Sequence, residues 1–199
     1  MKEITHLLSV VTIAAIVVTA GALGGGLASA ADVTRAEEQL FHADAPAGTD
    51  YFGYSVATDG FTALVGAVYD DAPSQPDAGA VYVFERTGRT WAQVDRLVAS
   101  DVITAGFFGR SVAIAGDTAI VGANGVASKR GAAYVYVRDG GVWTEQQKLE
   151  DPDGIAFDNF GYSVAIDGDT AIVGAYQDDH GMMDDDRGSA FVFTRSGTT

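Results

Sequence analysis

Cysteine is absent from the 199 residues, which excludes a disulfide framework, a thiolate zinc site and a cysteine nucleophile. Histidine is scarce: His6, His42 and His180 are the three. None sits in a recurring context, so a serine–histidine hydrolytic site has no evident base. Basic residues are few, 12 Lys and Arg against 27 Asp and Glu, for a net charge of −15. Such a surface repels nucleic-acid phosphates and anionic lipid, which argues against both as partners. No Asn-x-Ser/Thr acceptor occurs, since Asn124 and Asn159 precede Gly-Val and Phe-Gly.

What is present is glycine, 25 residues, and an apolar fraction of 47%. That is enough for one packed core with many tight turns. The acids are mostly Asp, 21 against 6 Glu. Two readings fit this bias, a cation-binding exterior and a solvated surface of the halophile type.

Residues 1–30 read as a secretory signal. Lys2 gives a positive start, Leu7 to Ala22 is an apolar run, and Ala28-Ser29-Ala30 is a small-x-small cleavage site. The run falls short of the ~20 residues of a membrane span. Cleavage after Ala30 is predicted, leaving a secreted or cell-surface protein with no membrane span. Residues 31–38 are a short lead-in.

From Gln39 the chain repeats itself. Phe52 opens FGYSVATDGFTALVGA, Phe108 opens FGRSVAIAGDTAIVGA and Phe160 opens FGYSVAIDGDTAIVGA, spacings of 56 and 52 residues. Periods of this size mark solenoids, propellers or arrays. The repeats run over about 39–98, 99–150 and 151–199. Each begins with a short run (Ser163 to Ile166 in the third), then a turn at Asp59-Gly60, Ala115-Gly116 or Asp167-Gly168, where two residues with positive φ are expected. The second run is ALVGA or AIVGA. The third is Ala80 to Phe84, Ala132 to Val137 or Ser189 to Phe193. The fourth runs from a Trp to a Leu, Trp91 to Leu97 and Trp143 to Leu149. Runs two and three are almost wholly apolar, as for strands covered on both faces, and run four alternates, as for an outer strand. The predicted fold is all-β, a β-propeller-type array of four-stranded antiparallel blades.

The Phe-Gly-x-Ser-Val-Ala run, the short turn and the Ala-Ile-Val-Gly-Ala run together resemble the FG-GAP repeat, the blade unit of the integrin alpha-subunit propeller, in its compact prokaryotic form. The resemblance spans about Gln39 to Phe193. It implies a β-propeller with a role in adhesion or ligand binding, usually without catalysis. Long integrin-type repeats carry a calcium loop, D-x-D-x-D-G-x-x-D, between strands one and two. That connection is here only Asp167-Gly168-Asp169, or Asp59-Gly60, too short for the six or more oxygens calcium takes.

Strand counting gives a lone fourth-strand end (Glu38-Gln39-Leu40), two full blades and a third that stops after strand three. About three blades are therefore present, fewer than the ~4–8 that ring closure needs. A partial array, or self-association of copies that completes a propeller, is expected.

Gly53-Tyr54-Ser55-Val56-Ala57 and Gly161-Tyr162-Ser163-Val164-Ala165 approach a nucleophile elbow. The serine recurs at one strand position in every copy, and no strand–turn–helix follows it, so a structural role is read instead. Tyr82, Tyr134 and Phe191 recur as blade core, and Trp91 and Trp143 as packing anchors.

Because strands alternate, the 2–3 and 4–1 loops leave one end of the blades and the 1–2 and 3–4 loops the other. The first end collects most acids, with Lys129, Arg130 and Arg187 as its bases. In integrin relatives these loops bind ligand, so Asp70, Asp71, Asp77, Asp151, Asp153 and Asp158 are the candidate ligand-binding face. Asp178, Asp179, Asp184, Asp185 and Asp186 are the candidate metal ligands for Ca2+, with a solvated loop as the alternative. Three functions remain open: a module binding an extracellular protein or glycan through this rim, a calcium-dependent structural or adhesion protein, and an enzyme acting on extracellular polysaccharide. The last needs paired carboxylates in a central channel.

Overall fold

The structure is a computed structural model that describes residues 39–43, 49–101, 103–179 and 187–196. The signal segment, the lead-in, and Asp184, Asp185 and Asp186 lie outside the described residues. Residues 41–199 form one compact unit.

That unit is all-β. Blade one is β1 (Phe52–Thr58), β2 (Thr62–Ala67), β3 (Ala80–Thr87) and β4 (Thr90–Leu97). Blade two is β5 (Phe108–Ala115), β6 (Thr118–Ala123), β7 (Ala132–Asp139) and β8 (Val142–Leu149). Blade three is β9 (Phe160–Asp167), β10 (Thr170–Ala175) and β11 (Ser189–Thr194). Each blade is an antiparallel meander in chain order, and β11 is the edge of the third. The one short helical stretch among the described residues, Val126–Lys129, is left-handed at Ala127 and Ser128.

The recurring letters have separate physical tasks. Phe52, Phe108 and Phe160 each lay a ring edge-on or tilted against two aromatics of strand three: Tyr82 and Phe84, Tyr134 and Tyr136, Phe191 and Phe193. The following glycine makes a bulge, because Phe160 faces Ala175 while Ser163 faces Gly174. A turn closes over it, the Tyr162 N–H donating to the Asn159 carbonyl at 3.1 Å. Gly161 sits at φ +83°, and a Cβ there would lie 2.1 Å from the Ala132 carbonyl oxygen of the preceding blade. Only glycine lets the two backbones approach this closely.

Serine and the glycine of the second run join blade to blade. Ser55 Oγ donates to the Gly109 carbonyl at 2.7 Å, and Ser111 Oγ to the Gly161 carbonyl at 2.9 Å. A Cβ on Gly122 would fall 1.9 Å from that same Gly161 oxygen. A second latch comes from the end of strand three, where Arg138 Nη1 donates to Thr62 Oγ1 at 3.0 Å and Arg195 Nη1 to Thr118 Oγ1 at 3.2 Å. Between these polar latches lie apolar layers. Leu64, Val81 and Val83 of blade one meet Val112, Val121, Tyr134 and Trp143 of blade two. Ile120 and Ala133 meet Phe160, Val173, Phe191 and Phe193 of blade three. The tyrosines, Phe191 and Trp143 are thus core. The recurring serine is a tether between blades, which answers the elbow resemblance.

The first hairpins differ from expectation. The two-residue loops are Gly116-Asp117 and Gly168-Asp169, one residue later than read from the sequence, and only the glycines have positive φ. Glycine-first loops suit the II′ turn. The shift places the aspartate where strand three can hold it, and the Nε atoms of Arg138 and Arg195 donate to Asp117 and Asp169 at 2.8 Å each. In blade one Phe61 replaces that aspartate and the loop widens to Asp59–Thr62, with Asp59 Oδ1 accepting from the Phe61 and Thr62 N–H groups.

Candidate functional site

The end of the blades that carries the 4–1 and 2–3 loops holds two distinct kinds of carboxylate. Asp71 and Asp153 are exposed, and Asp77 is half-buried with its N–H held by Asp71 Oδ1 at 2.9 Å. Asp70, Asp151 and Asp158 are buried, so a large ligand on this rim cannot reach them directly. Asp178, from the metal candidates, is buried beside them, and Asp179 is half-buried.

Asp70 is an internal counter-charge. It forms an ion pair with Arg96 and accepts the Tyr82 hydroxyl at 2.5 Å. Blade two solves the corresponding problem with Asp101, which accepts from the Tyr134 hydroxyl at 2.6 Å and Lys148 Nζ at 2.7 Å. These two partners hold the Asp101 carboxyl below its ordinary range, against the burial that raises it.

In blade three a trio forms. Asp151 and Asp158 come from the β8–β9 loop and Asp178 from the β10–β11 loop, each offering an oxygen within 4.8 Å of the others. Asp151 Oδ1 accepts the Asp153 N–H at 3.0 Å, and Asp158 Oδ2 accepts the Ile155 N–H at 2.5 Å. Asp158 Oδ1 is buried with no hydrogen-bond partner among the described residues. Burial raises the Asp158 proton affinity. The Ile155 N–H opposes this, and the charges of Asp178, Asp151 and Asp179 add to it. Arg130 spends its Nη2 on the Asp151 and Pro152 carbonyls, and among the described residues no ion pair joins it to the trio.

Sequence reading did not single out the aromatic strip beside these loops. The variable residue of Phe-Gly-x-Ser is Tyr54, Arg110 and Tyr162 in turn, and the Arg110 guanidinium lies 4.8 Å from the Tyr54 ring centre and 4.2 Å from that of Tyr162. Tyr176 packs on Tyr162 at 4.5 Å, while Tyr51 and Tyr69 meet edge-on at 5.0 Å. Tyr51, Tyr54, Tyr162 and Tyr176 are all exposed. The signal was the alternation Tyr, Arg, Tyr at the one variable position of an otherwise fixed motif. Alanine, lysine or serine would serve a solvent-facing site as well.

Blades of four-stranded antiparallel sheet, joined face to face through Phe-Gly edges, define a partial β-propeller. The FG-GAP repeat family model matches residues 36–84, 91–136 and 143–193, and the chain belongs to that family. The second and third matched units start with the outer strand of one blade and end in the third strand of the next, so sequence unit and blade are one strand out of phase, whereas residues 39–43 in the first unit form no strand. Domains of this kind are typically non-catalytic modules, often used in adhesion and binding. No curated protein matches the chain. Among the described residues no helix is long and apolar enough to cross a membrane.

Proposed function

We propose that this chain is an exported, non-catalytic binding module that holds an extracellular glycan on the loop rim of its blades. The observation that carries this reading is the exposed strip Tyr54–Arg110–Tyr162, extended by Tyr176 on Tyr162, at the end of the blades whose loops also carry the exposed carboxylates Asp71 and Asp153. Exposed rings set at regular blade spacing offer flat apolar faces to sugar C–H groups, and flanking carboxylates and a guanidinium accept and donate to hydroxyls. At the opposite end Asp117 and Asp169 are taken up by Arg138 and Arg195, which leaves that end with fewer uncommitted groups.

A glycan array probed with the full chain tests this. Binding to at least one polysaccharide class is expected, with a loss of about tenfold or more for Tyr162→Ala, since one stacked ring is worth roughly 1.4 kcal/mol. Failure on every glycan, with binding to an immobilised extracellular protein instead, would replace the ligand class. Binding unchanged by the Tyr54 and Tyr162 substitutions would remove the strip as the site.

A second copy of the chain is also a partner under this reading, through the outer face of blade three. Ile172 is 43% exposed there, whereas its equivalents Leu64 and Ile120 are 0% exposed beneath the next blade. Ser163 and Thr170, the equivalents of the latch residues Ser55, Ser111, Thr62 and Thr118, are exposed. On the other side of the β11 edge, a groove of about 330 Å³ lies between blades two and three, lined by Val135 and Leu149 of one and Ile166 and Phe193 of the other. The cognate surface is the blade-one front, with Gly53 open on one side and Val56 58% exposed where Val112 is buried. Light scattering is expected to give a discrete oligomer that Ile172→Lys converts to monomer. A cooperative monomer in both cases would exclude this contact.

A further inference from the structure

We propose that Asp151, Asp158 and Asp178 form a calcium-class cation site that ties the β8–β9 loop to the β10–β11 loop. It lies at the opposite end of the blade from the strand 1–2 turn, and it stands independently of the glycan reading. Comparison of the three blades shows how unusual the trio is. Counting from the Phe-Gly and Gly-Ala marks, the equivalent positions in blade two are Ala99, Gly106 and Val126, all buried and, for Ala99 and Val126, part of the apolar core. Blade one has Ala43, Asp50 and Asp70 there, with Arg96 and the Tyr82 hydroxyl on Asp70. Blade three has acids at all three positions.

Three carboxylates at 5%, 1% and 4% exposure cannot share one small volume unless something offsets their charge, because burial and like-charge repulsion both penalise ionisation. The unpartnered Oδ1 of Asp158 is the second sign, a buried acceptor with nothing donating to it among the described residues. Asp151 and Asp158 have each committed one oxygen to a loop N–H, which fixes the carboxylates in place. The donor set is all oxygen, which selects a hard cation over zinc or copper. Oxygens that all lie within 4.8 Å of one another can meet on one ion, and calcium, with ligands at about 2.3–2.6 Å in flexible geometry, tolerates an irregular loop-borne set better than magnesium, which demands near-ideal octahedral geometry at about 2.0–2.1 Å. The rest of the coordination shell would be second carboxylate oxygens and water.

The test uses the full chain, stripped with chelator and titrated with calcium chloride by calorimetry without any glycan. One site per chain is expected, with Kd in the range of about 10⁻⁴–10⁻³ M usual for extracellular modules. Thermal melting gives a second readout whose expected sign reverses between states. In chelator Asp158→Asn should melt at or above the unsubstituted chain, because one repelling charge is gone. In calcium the unsubstituted chain should rise and Asp158→Asn should not. Asp178→Asn should lose calcium binding at least tenfold in the same way. Absence of binding heat, an equal rise in magnesium or in sodium chloride of matched ionic strength, or full calcium binding by Asp158→Asn would each overturn the site.

Discussion

Gly161→Ala is expected to destabilise the fold by about 3–4 kcal/mol, against about 1–2 kcal/mol for Gly53→Ala. The two glycines occupy the same position of the same motif, at φ +83° and +91°. Both substitutions therefore force a side chain into a backbone region that L residues rarely adopt. Only Gly161 also faces another blade, where the new methyl group would lie 2.1 Å from the Ala132 carbonyl oxygen and 3.2 Å from the Ala123 nitrogen. Both are backbone atoms that cannot swing aside, whereas nothing lies within 4 Å of a Cβ on Gly53. The difference between the two variants thus measures the blade-to-blade approach by itself. Urea unfolding of both, followed by near-ultraviolet circular dichroism, provides the comparison. Equal costs would mean that blades two and three do not stack at the distance described.

The second large effect is loss of stability in alkali. Burial first, then the neighbouring Asp70 carboxylate, push the Tyr82 phenol from 10.0 up to about 12, with Arg96 pulling the other way. Burial also drives Tyr134 and Tyr136 upward, aided by Asp101 and Glu145 respectively. A raised pKa means that the folded protein keeps a proton the unfolded chain has released. The native state then binds more protons, and stability falls as pH rises. The contribution of Tyr82 is complete below about pH 10 and disappears as pH climbs through about 12. A shift of this size corresponds to roughly 2 kcal/mol, reduced slightly for the solvent access of Arg96. Urea midpoints should therefore fall steeply above about pH 10, in step with the last part of the rise in tyrosinate absorbance, which the buried phenols contribute. Tyr136→Phe should flatten the slope, since one of the three phenols is then gone. The full absorbance of all eight tyrosines appearing near the ordinary phenol range with the protein still folded would refute the buried hydroxyl arrangement.

Much of the scaffold was legible in the chain itself. The eleven strands among the described residues fell within a residue or a few of the expected runs, with three of them in the third blade, as the strand count gave. The misplacement of the hairpin loops by one residue shows where local reading stops. Asp-Gly and Gly-Asp both suit a tight turn, and the choice was made by Arg138 and Arg195, which sit 21 and 26 residues away on strand three. The acidic rim was legible as a bias of composition, yet its members divided in a way no composition carries. Asp70 went to Arg96 and Tyr82, Asp71 and Asp153 stayed in solvent, and Asp151, Asp158 and Asp178 came together.

The sequence by itself determined the blade. Alternation, apolar runs and glycine turns act over a few residues, and each is written again in every copy, so strand identity and order follow from local physics. The tertiary structure decided how blades meet and which carboxylates become neighbours. The Ser55 hydroxyl finds its acceptor 54 residues on, and the Ser111 hydroxyl 50 residues on. Asp178 joins Asp151 and Asp158 only because β9 and β10 pair in one register and bring two separate loops to the same end of the blade. Such meetings depend on strand register and face-to-face packing summed over the whole array, and no short stretch of chain encodes that sum.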